Sequence, residues 1–202
     1  MALWLIPDPL VLASRSAVRR ALLEAAGVPV EVHVADVDER GLEERAETQA
    51  PEAIALLLAR EKALVVGGRK SGRLVLGADQ TLALGSRRFA KPVDRAAARE
   101  QLWMLCGRSH ELHSAIVVVQ DATVLFEYVG TARLTMRPFS ERFLDRYLDT
   151  VGSAATASVG GYQIEGPGIQ LFERIEGDYF SVLGLPLIAT LDFLRRRGCL
   201  LP

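Results

Sequence analysis

The stretch LVLASRSAVRRALLEAAGVPVEVHV, from Leu10 to Val34, decides the fold. Its first four residues form an uninterrupted apolar run, which predicts a short buried strand. A helix is predicted next, over 18–26, and Gly27 and Pro29 supply the usual stop signals for it. Valines then alternate with other residues as far as Val34, which is the period of a second strand. The chain therefore opens with a strand, a helix and a strand.

The same alternation continues through the rest of the sequence. Long helices are predicted at 51–66, 94–106, 140–148 and 186–197. Further strands are predicted at 74–78, 82–84, 87–90, 111–120, 123–136 and 169–175, with a hairpin turn at 121–122. An acidic turn is predicted at 36–39, and the polar segment at 43–48 is predicted as a loop or a frayed helix. The segment at 152–168 is rich in glycine and serine and has little periodicity. The fold class is therefore α/β, with a mixed twisted sheet and flanking helices, and the prediction is one domain over 1–202.

Composition excludes several classes of protein. The 202 residues include 24 basic and 25 acidic side chains, so the net charge of -1 provides no basic field for nucleic acid. No apolar run approaches the ~20 residues that cross a bilayer, and the apolar start lacks the positive region of a signal peptide. Two cysteines, Cys106 and Cys199, cannot form a disulfide framework and suit a reducing compartment. We expect a cytoplasmic protein with no membrane or nucleic-acid partner.

The segment from Ser14 to Arg20 is the first candidate site. It lies between a predicted strand and a helix N-terminus, where free backbone N–H groups and the helix dipole attract anions. Its two hydroxyls and three guanidinium groups add donors that suit phosphate oxygens. The alternative is structural, with Ser16 as an N-cap and the arginines on a solvated face.

Asp79 is the second candidate, because it follows the apolar strand 74–78. Carboxylates at the C-terminal ends of strands face the crevice in which α/β proteins bind ligands. The alternative is an ordinary turn aspartate. Only three lysines accompany 21 arginines, so positions that keep lysine draw attention, among them Lys62 and Lys91. Glu39 lies in the acidic turn, and Glu165 lies in a glycine-rich loop that permits a close approach to a ligand.

Familiar sites of other classes are missing from the sequence. There is no G-x-G-x-x-G, and Lys70-Ser71 imitates the end of a P-loop although Arg69 replaces the required glycine. His110 and His113 are three residues apart and belong to no cluster with the spacing of zinc ligands, which argues against zinc.

Taken together, the segments resemble the Maf family of nucleoside triphosphate pyrophosphatases. The resemblance covers Leu10 to about Leu194, and its pieces occur in the family's order. These are Leu12-Ala13-Ser14-x-Ser16 with Arg19-Arg20, Asp36-Val37-Asp38-Glu39, Leu58-Ala59-Arg60-Glu61-Lys62-Ala63, Gly77-Ala78-Asp79, Lys91-Pro92, Gly107-Arg108-Ser109-His110, Phe172-Glu173-Arg174-Ile175-Glu176-Gly177-Asp178 and Val182-Leu183-Gly184-Leu185-Pro186-Leu187.

The resemblance implies two lobes around a cleft, in a fold related to the inosine triphosphate pyrophosphatases. It also implies a divalent cation, Mg²⁺ or Mn²⁺, a homodimer, and hydrolysis of a nucleoside triphosphate to the monophosphate and pyrophosphate. By position, Asp79 would be the proton acceptor or only a metal ligand. Ser14, Arg19 and Arg20 would bind phosphates. Glu39, Lys62, Lys91 and Glu165 would line the same site. Because Mg²⁺ prefers oxygen ligands, Glu39, Asp79 and Glu165 are candidate ligands, with Glu39 and Asp79 as the predicted pair.

Three departures from the commonest family pattern point toward the branch that acts on 7-methylguanosine triphosphate. The arginine pair is displaced by one residue, Gln80 stands where many members have threonine, and Glu165 stands where other branches carry glutamine. Val18 departs from that branch too, since an aromatic residue is usual there. Two other functions stay open: a non-catalytic nucleotide-binding regulator of cell division, and an enzyme acting on phosphosugars or nucleotide sugars.

Overall fold

The computed structural model describes residues 3–202, so Met1 and Ala2 of the apolar start lie outside the described residues. The strands are β1 (Leu10–Ala13), β2 (Val30–Val32), β3 (Val75–Leu84), β4 (Arg87–Phe89), β5 (Ser109–Gln120), β6 (Thr123–Met136) and β7 (Phe172–Glu176). The helices are α1 (Ala17–Ala25), α2 (Glu39–Arg45), α3 (Pro51–Gly67), α4 (Arg95–Leu105), α5 (Glu141–Val151), α6 (Tyr179–Val182) and α7 (Leu187–Arg196). Three short 3₁₀ helices follow α5, at Gly152–Thr156, Val159–Gly161 and Pro167–Leu171.

The seven strands form one mixed sheet, which confirms the predicted fold class. Their order is β2-β1-β3-β5-β6-β7, and β4 pairs with β3 outside this path. β1 lies between β2 and β3 and is parallel to both, whereas β4 and β7 pair antiparallel with β3 and β6. The turn between β5 and β6 has positive φ at Asp121 and Ala122, which gives the backbone twist that a two-residue hairpin needs.

By contacts within the chain, the protein divides into two compact units. The first combines the chain up to Gln80 with His113–Gly130 and Asp178–Pro202. The second combines Thr81–Leu112 with Thr131–Gly177. Strands β3, β5 and β6 each contribute residues to both units. The single domain over 1–202 remains a prediction.

The first unit has a hydrophobic core on each face of its strands. Alternate residues of β1 face opposite sides, because successive side chains of a strand do so. Leu10 and Leu12 belong to one core, with Phe193 of α7, and Val11 and Ala13 belong to the other. The second core is built against α3 largely through small side chains, Ala55, Ala59 and Ala63. Small residues allow the helix to approach the sheet closely.

The second unit packs α4 and α5 beside the 3₁₀ segments. Arg99 bonds both Asp145 and Glu141 of α5 at 2.9 Å. His110 is buried and its Nε2 lies 2.7 Å from the Tyr162 hydroxyl. The burial of an imidazole with one close partner indicates a structural histidine.

Four local predictions differ from the structure. The acidic turn at 36–39 leads directly into α2, because the Asp38 carboxylate accepts a hydrogen bond from the backbone N–H of Gly41 and so caps a helix. The strand 74–78 continues to Leu84, since Leu82–Leu84 pair with β4. Asp79 therefore lies inside a strand and the prediction that it follows the strand's end was wrong.

The last two differences lie near the C-terminus. The predicted strand 169–175 is shorter, because Ile169 belongs to the third 3₁₀ helix and β7 begins at Phe172. The sequence also gave no indication of α6, whose N-cap is Asp178. Across residues 3–202, no helix is long and apolar enough to cross a membrane.

Candidate active site

Three predicted site residues meet in the first unit. The Lys62 ammonium on α3 donates a hydrogen bond to Oδ1 of Asp79 on β3 at 2.5 Å. The same nitrogen lies 2.7 Å from Oε1 of Glu39, the first residue of α2. Only 13% of the Lys62 side chain and 13% of the Asp79 side chain are exposed, whereas the Glu39 side chain is half exposed. The structure therefore brings Lys62, Asp79 and Glu39 together, and their roles remain predictions.

The distance between Lys62 and Asp79 depends on a glycine. A Cβ atom at Gly77 would lie 2.2 Å from the carbonyl oxygen of Ala59 and 2.7 Å from the backbone nitrogen of Ala63. Both atoms belong to the backbone of α3 and cannot move without moving the helix. Gly77 thus lets α3 approach β3 closely enough to place the ammonium against the carboxylate.

Opposing effects set the pKa of Asp79. Burial raises it, because a desolvated carboxylate is less stable in its charged form. The positive charges of Lys62 and Arg19, and the hydrogen bond from Lys62, lower it. Burial prevails, so the pKa of Asp79 lies above that of an ordinary aspartate. A raised pKa is a common property of a carboxylate that accepts protons during a reaction.

Ser14 and Ser16 shape the N-terminus of α1, next to the C-terminal end of β1. The Ser16 hydroxyl caps the helix by accepting a hydrogen bond from the backbone N–H of Arg19. Ser14 is 8% exposed, and its hydroxyl accepts from the Ser16 backbone N–H and from Nη1 of Arg19. Ser16 is therefore an N-cap, as the structural alternative predicted, whereas the Ser14 hydroxyl faces Arg19.

The two arginines of α1 lie in different environments. Arg19 donates from Nε to the carbonyl oxygen of Gly184 at 2.7 Å and from Nη1 to that of Ala78 at 2.8 Å. Arg20 lies on the exposed face of the helix and pairs with Glu24 at 2.8 Å. The phosphate-binding role expected of both remains a prediction.

Sequence reasoning missed several polar groups beside Asp79. The side-chain amide of Gln80 donates to the hydroxyl of Ser114 and to the carbonyl oxygens of Ser181 and Val182. Ser114 is fully buried on β5, next to β3 in the sheet. Ser114 directly precedes the apolar run 115–119 of β5, and the local sequence offers no signal that it contacts Gln80.

Lys91 and Glu165 belong to the second unit. Both side chains are exposed in the structure. Their part in the site remains a prediction.

The carboxylates of Glu39 and Asp79 fit a cation that is held jointly with a ligand. Both approach one ammonium within hydrogen-bonding distance, so they converge on a small region. Mg²⁺ is typically bound by one or two carboxylates together with waters and substrate phosphates. Within residues 3–202, no group of three or more His, Cys, Asp or Glu side chains could hold a metal ion without a bound ligand.

Comparison with known proteins identifies the family of this chain. The family described as Maf-like protein matches residues 9–197. The chain belongs to the Maf family. The match begins just before β1 and ends with α7, so it contains the complete set of predicted site residues.

Relatives from several bacteria match over almost their full lengths. A protein of Rhodopseudomonas palustris (strain ATCC BAA-98 / CGA009) named nucleoside triphosphate pyrophosphatase is 56% identical, over 99% of each chain. One of Mesorhizobium japonicum named 7-methyl-GTP pyrophosphatase is 51% identical, over 96% of this chain and 98% of its own. A solved nucleoside-triphosphatase / dITP/XTP pyrophosphatase from Mycobacterium abscessus covers 93% of this chain and all of its own, at 21% identity and a TM-score of 0.44, too low for any argument.

Proposed function

We propose that this protein hydrolyses a nucleoside triphosphate to the nucleoside monophosphate and pyrophosphate. The observation that carries the proposal is the contact of Lys62 with both Asp79 and Glu39, in a Maf family member. A regulator that only binds nucleotides needs cations for the phosphates. It does not need a buried carboxylate with a raised pKa beside them.

Asp79 accepts the proton in this proposal. A water attacks the α-phosphorus, the bond from that phosphorus to the oxygen bridging the α- and β-phosphates breaks, and pyrophosphate leaves. The carboxylate takes the proton that the water loses, which makes the water a better nucleophile as the new bond forms. The raised pKa suits this role, since a general base works best when its pKa approaches the working pH.

Cationic groups stabilise the charge that develops on the phosphates. Lys62 supplies a compact ammonium beside the base. Ser14 and Arg19, at the N-terminus of α1, present a hydroxyl and a guanidinium to the outer phosphates, where the helix dipole also favours negative charge. Lys91 is proposed as a further phosphate ligand, and Arg20 as a peripheral one.

A divalent cation, Mg²⁺ or Mn²⁺, is proposed to bind with the substrate at Glu39 and Asp79. When bound, it would neutralise phosphate charge and lower the pKa of a coordinated water. Asp79 would then serve as a ligand, as the base, or as both.

For the base of the nucleotide, we propose a guanine with or without a 7-methyl group. The 51% identity to a protein named 7-methyl-GTP pyrophosphatase supports this choice. The Glu165 carboxylate can accept hydrogen bonds from N1–H and the 2-amino group of guanine, and it favours a cationic methylated ring. A glutamine there would pair better with the mixed edge of uracil.

Pyrophosphate release from a panel of nucleotides, with Mg²⁺ or Mn²⁺, tests the function. The panel contains GTP, 7-methyl-GTP, UTP and dTTP, and we expect the highest kcat/KM for a guanine nucleotide. Binding of every nucleotide without pyrophosphate release would instead favour the regulator. In Glu165→Gln the ratio of guanine to uracil kcat/KM should fall by at least tenfold, since a site that pairs a polar edge discriminates strongly. An unchanged ratio would remove Glu165 from base recognition.

We also infer that residues 1–202 act as one domain, in the cytoplasm and as a homodimer. Both cysteines are free thiols, which suits a reducing compartment. Light scattering coupled to size-exclusion chromatography would test the dimer, which a mass of 22.0 kDa for the species in solution would contradict.

A further inference from the structure

The Ser181–Gly184 turn, which comprises the last two residues of α6 and the two that follow, is bonded to residues next to Asp79. The amide of Gln80 donates to the carbonyl oxygens of Ser181 and Val182, both at 3.1 Å. Arg19 donates from Nε to the carbonyl oxygen of Gly184 at 2.7 Å. These bonds join residues that are 101 to 165 positions apart. The turn is therefore held by side chains next to the base.

Ser114 connects these groups to each other. Its hydroxyl accepts a hydrogen bond from the Gln80 amide at 2.9 Å and donates one to the Ser181 carbonyl oxygen at 2.7 Å. Ser114 is fully buried, so water cannot replace either bond if the hydroxyl is lost. A buried serine on β5 thus orients both the side chain that follows Asp79 and the turn that meets Arg19.

Further hydrogen bonds hold the Ser181–Gly184 turn in place. The Asp178 carboxylate accepts hydrogen bonds from the backbone N–H and the hydroxyl of Ser181, both at 2.8 Å. Gly184 has a φ of +90°, in the region that favours glycine, and a Cβ there would lie 3.4 Å from Nη2 of Arg19. Because these bonds and this backbone conformation restrain the turn, we expect a displacement of Ser181 to move the Gly184 carbonyl.

Arg19 links the Ser181–Gly184 turn to the backbone of Asp79 and to Ser14. Nη1 of Arg19 donates to the Ala78 carbonyl, in the peptide group that joins Ala78 to Asp79, and to the Ser14 hydroxyl. A guanidinium is suited to this arrangement, because it presents several donors in a fixed plane. A lysine could keep the charge and could not make the same set of bonds.

We propose that Ser114 is a positioning residue, which acts through the Ser181–Gly184 turn and Arg19 to orient Asp79. Nothing in the motifs of the sequence assigns a role to Ser114. The inference rests on the proposed function, since Asp79 is the base there. Arg19 is then both a phosphate ligand and a positioning residue.

Kinetics of Ser114→Ala in the full-length protein test the inference. We expect kcat to fall about tenfold, because a small misplacement of catalytic groups costs one to two orders of magnitude in rate. KM should change less than about threefold, since the phosphate ligands remain. The matched control is Thr190→Val, which also removes a fully buried hydroxyl bonded to a backbone carbonyl, that of Pro186, in the same unit. Its kcat should stay within twofold of wild type.

The link through Arg19 is tested by Arg19→Lys and by the double variant. Arg19→Lys should lower kcat by one to two orders of magnitude. If both residues act along one connection, Ser114→Ala should cost less than about twofold further in the Arg19→Lys background, because coupled residues are not additive. Additive losses, or a raised KM with unchanged kcat in Ser114→Ala, would overturn the inference.

The two proposals can fail separately. A wild-type protein that releases no pyrophosphate from any nucleotide contradicts the proposed function and, with it, the inference. An active wild type whose Ser114→Ala variant behaves like Thr190→Val contradicts the inference alone. Thermal unfolding followed by circular dichroism measures the folded fraction of Ser114→Ala. If activity falls only in proportion to that fraction, so that kcat per folded molecule is normal, the positioning role is also rejected.

Discussion

The Lys62 ammonium and the Asp79 carboxylate form a contact of 2.5 Å in which each side chain is only 13% exposed. Each partner reduces the cost of burying the other, because an unpaired charge in this environment would lack both water and a counter-charge. Lys62 lowers the pKa of Asp79, while burial raises it by a larger amount. The lysine therefore keeps the carboxylate ionised at pH values where burial alone would favour its protonation.

Replacing Lys62 by methionine should move the pH dependence of the reaction. Without the ammonium, nothing at that position offsets the effect of burial on the pKa of Asp79, so the acid limb of kcat/KM should shift to higher pH. The sign follows from the base, which must be deprotonated: activity is lost as pH falls through its pKa. Profiles from pH 4 to 9 measure the shift. Lys70→Met is the control, because Lys70 bonds Glu31 instead and its loss should leave the limb in place. A shift to lower pH would contradict the account of Asp79.

Asp79→Asn should separate binding from reaction. The amide keeps the size of the side chain and cannot accept the proton, so kcat should fall by about three orders of magnitude, within the range for loss of a general base. Nucleotide affinity measured by calorimetry, with Mg²⁺ omitted, should stay within about threefold, because Ser14 and Arg19 still present donors. Near-normal turnover would reject Asp79 as the base.

Gly77→Ala should destabilise the protein and disturb the same ion pair. The new Cβ would meet backbone atoms of α3, the nearest at 2.2 Å, so the helix must move away from β3. We expect a loss of about 2 kcal/mol in the free energy of unfolding, typical of overpacking in a core. Urea denaturation measures it, and kcat should fall because Lys62 moves with α3.

The control for that substitution is Gly68→Ala at the C-terminal end of α3. Gly68 has helical dihedral angles, and a Cβ there would make only an ordinary 3.5 Å contact with the Leu64 carbonyl oxygen. Alanine in place of a helical glycine is neutral or slightly stabilising. Equal stabilities for the two variants would mean that the close approach at Gly77 is not needed.

Local pattern was enough to predict the elements that position the site. The apolar run of β1, the Ser16 cap of α1 and the Pro51 start of α3 are properties of neighbouring residues, and each is confirmed. The same holds for the hairpin of β5 and β6, whose turn falls at the predicted residues. Lys62 could therefore be placed on a helix and Asp79 beside a strand before the structure.

What the sequence could not show depends on pairing between distant segments. Asp79 and Gln80 interrupt an apolar run, which resembles the end of a strand. The strand continues because Leu82–Leu84 pair with β4. The contacts of Ser114 and Gly184 join segments that are 67 and 165 residues from their partners, and no local periodicity reports such contacts. Motifs identified the groups that carry charge, while the groups that orient them emerged only from the fold.

The loss of stability at low pH should depend mainly on the buried side chain of His110. Burial lowers the pKa of His110 to about 4, below the usual value of 6.5. Between those two pH values the imidazole is protonated in the unfolded chain and neutral in the folded chain. Stability is therefore lost as pH falls from about 6.5 toward 4. The pKa difference corresponds to a loss of about 3 kcal/mol.

His110→Gln removes the titrating group and can retain a hydrogen bond to the Tyr162 hydroxyl. Its free energy of unfolding from urea titrations at pH 7 and pH 4.5 should change by about 2 kcal/mol less than that of the wild type, because the penalty of a charged imidazole is absent. If His110→Gln lost as much stability as the wild type between those pH values, another group would have to be responsible for the acid sensitivity.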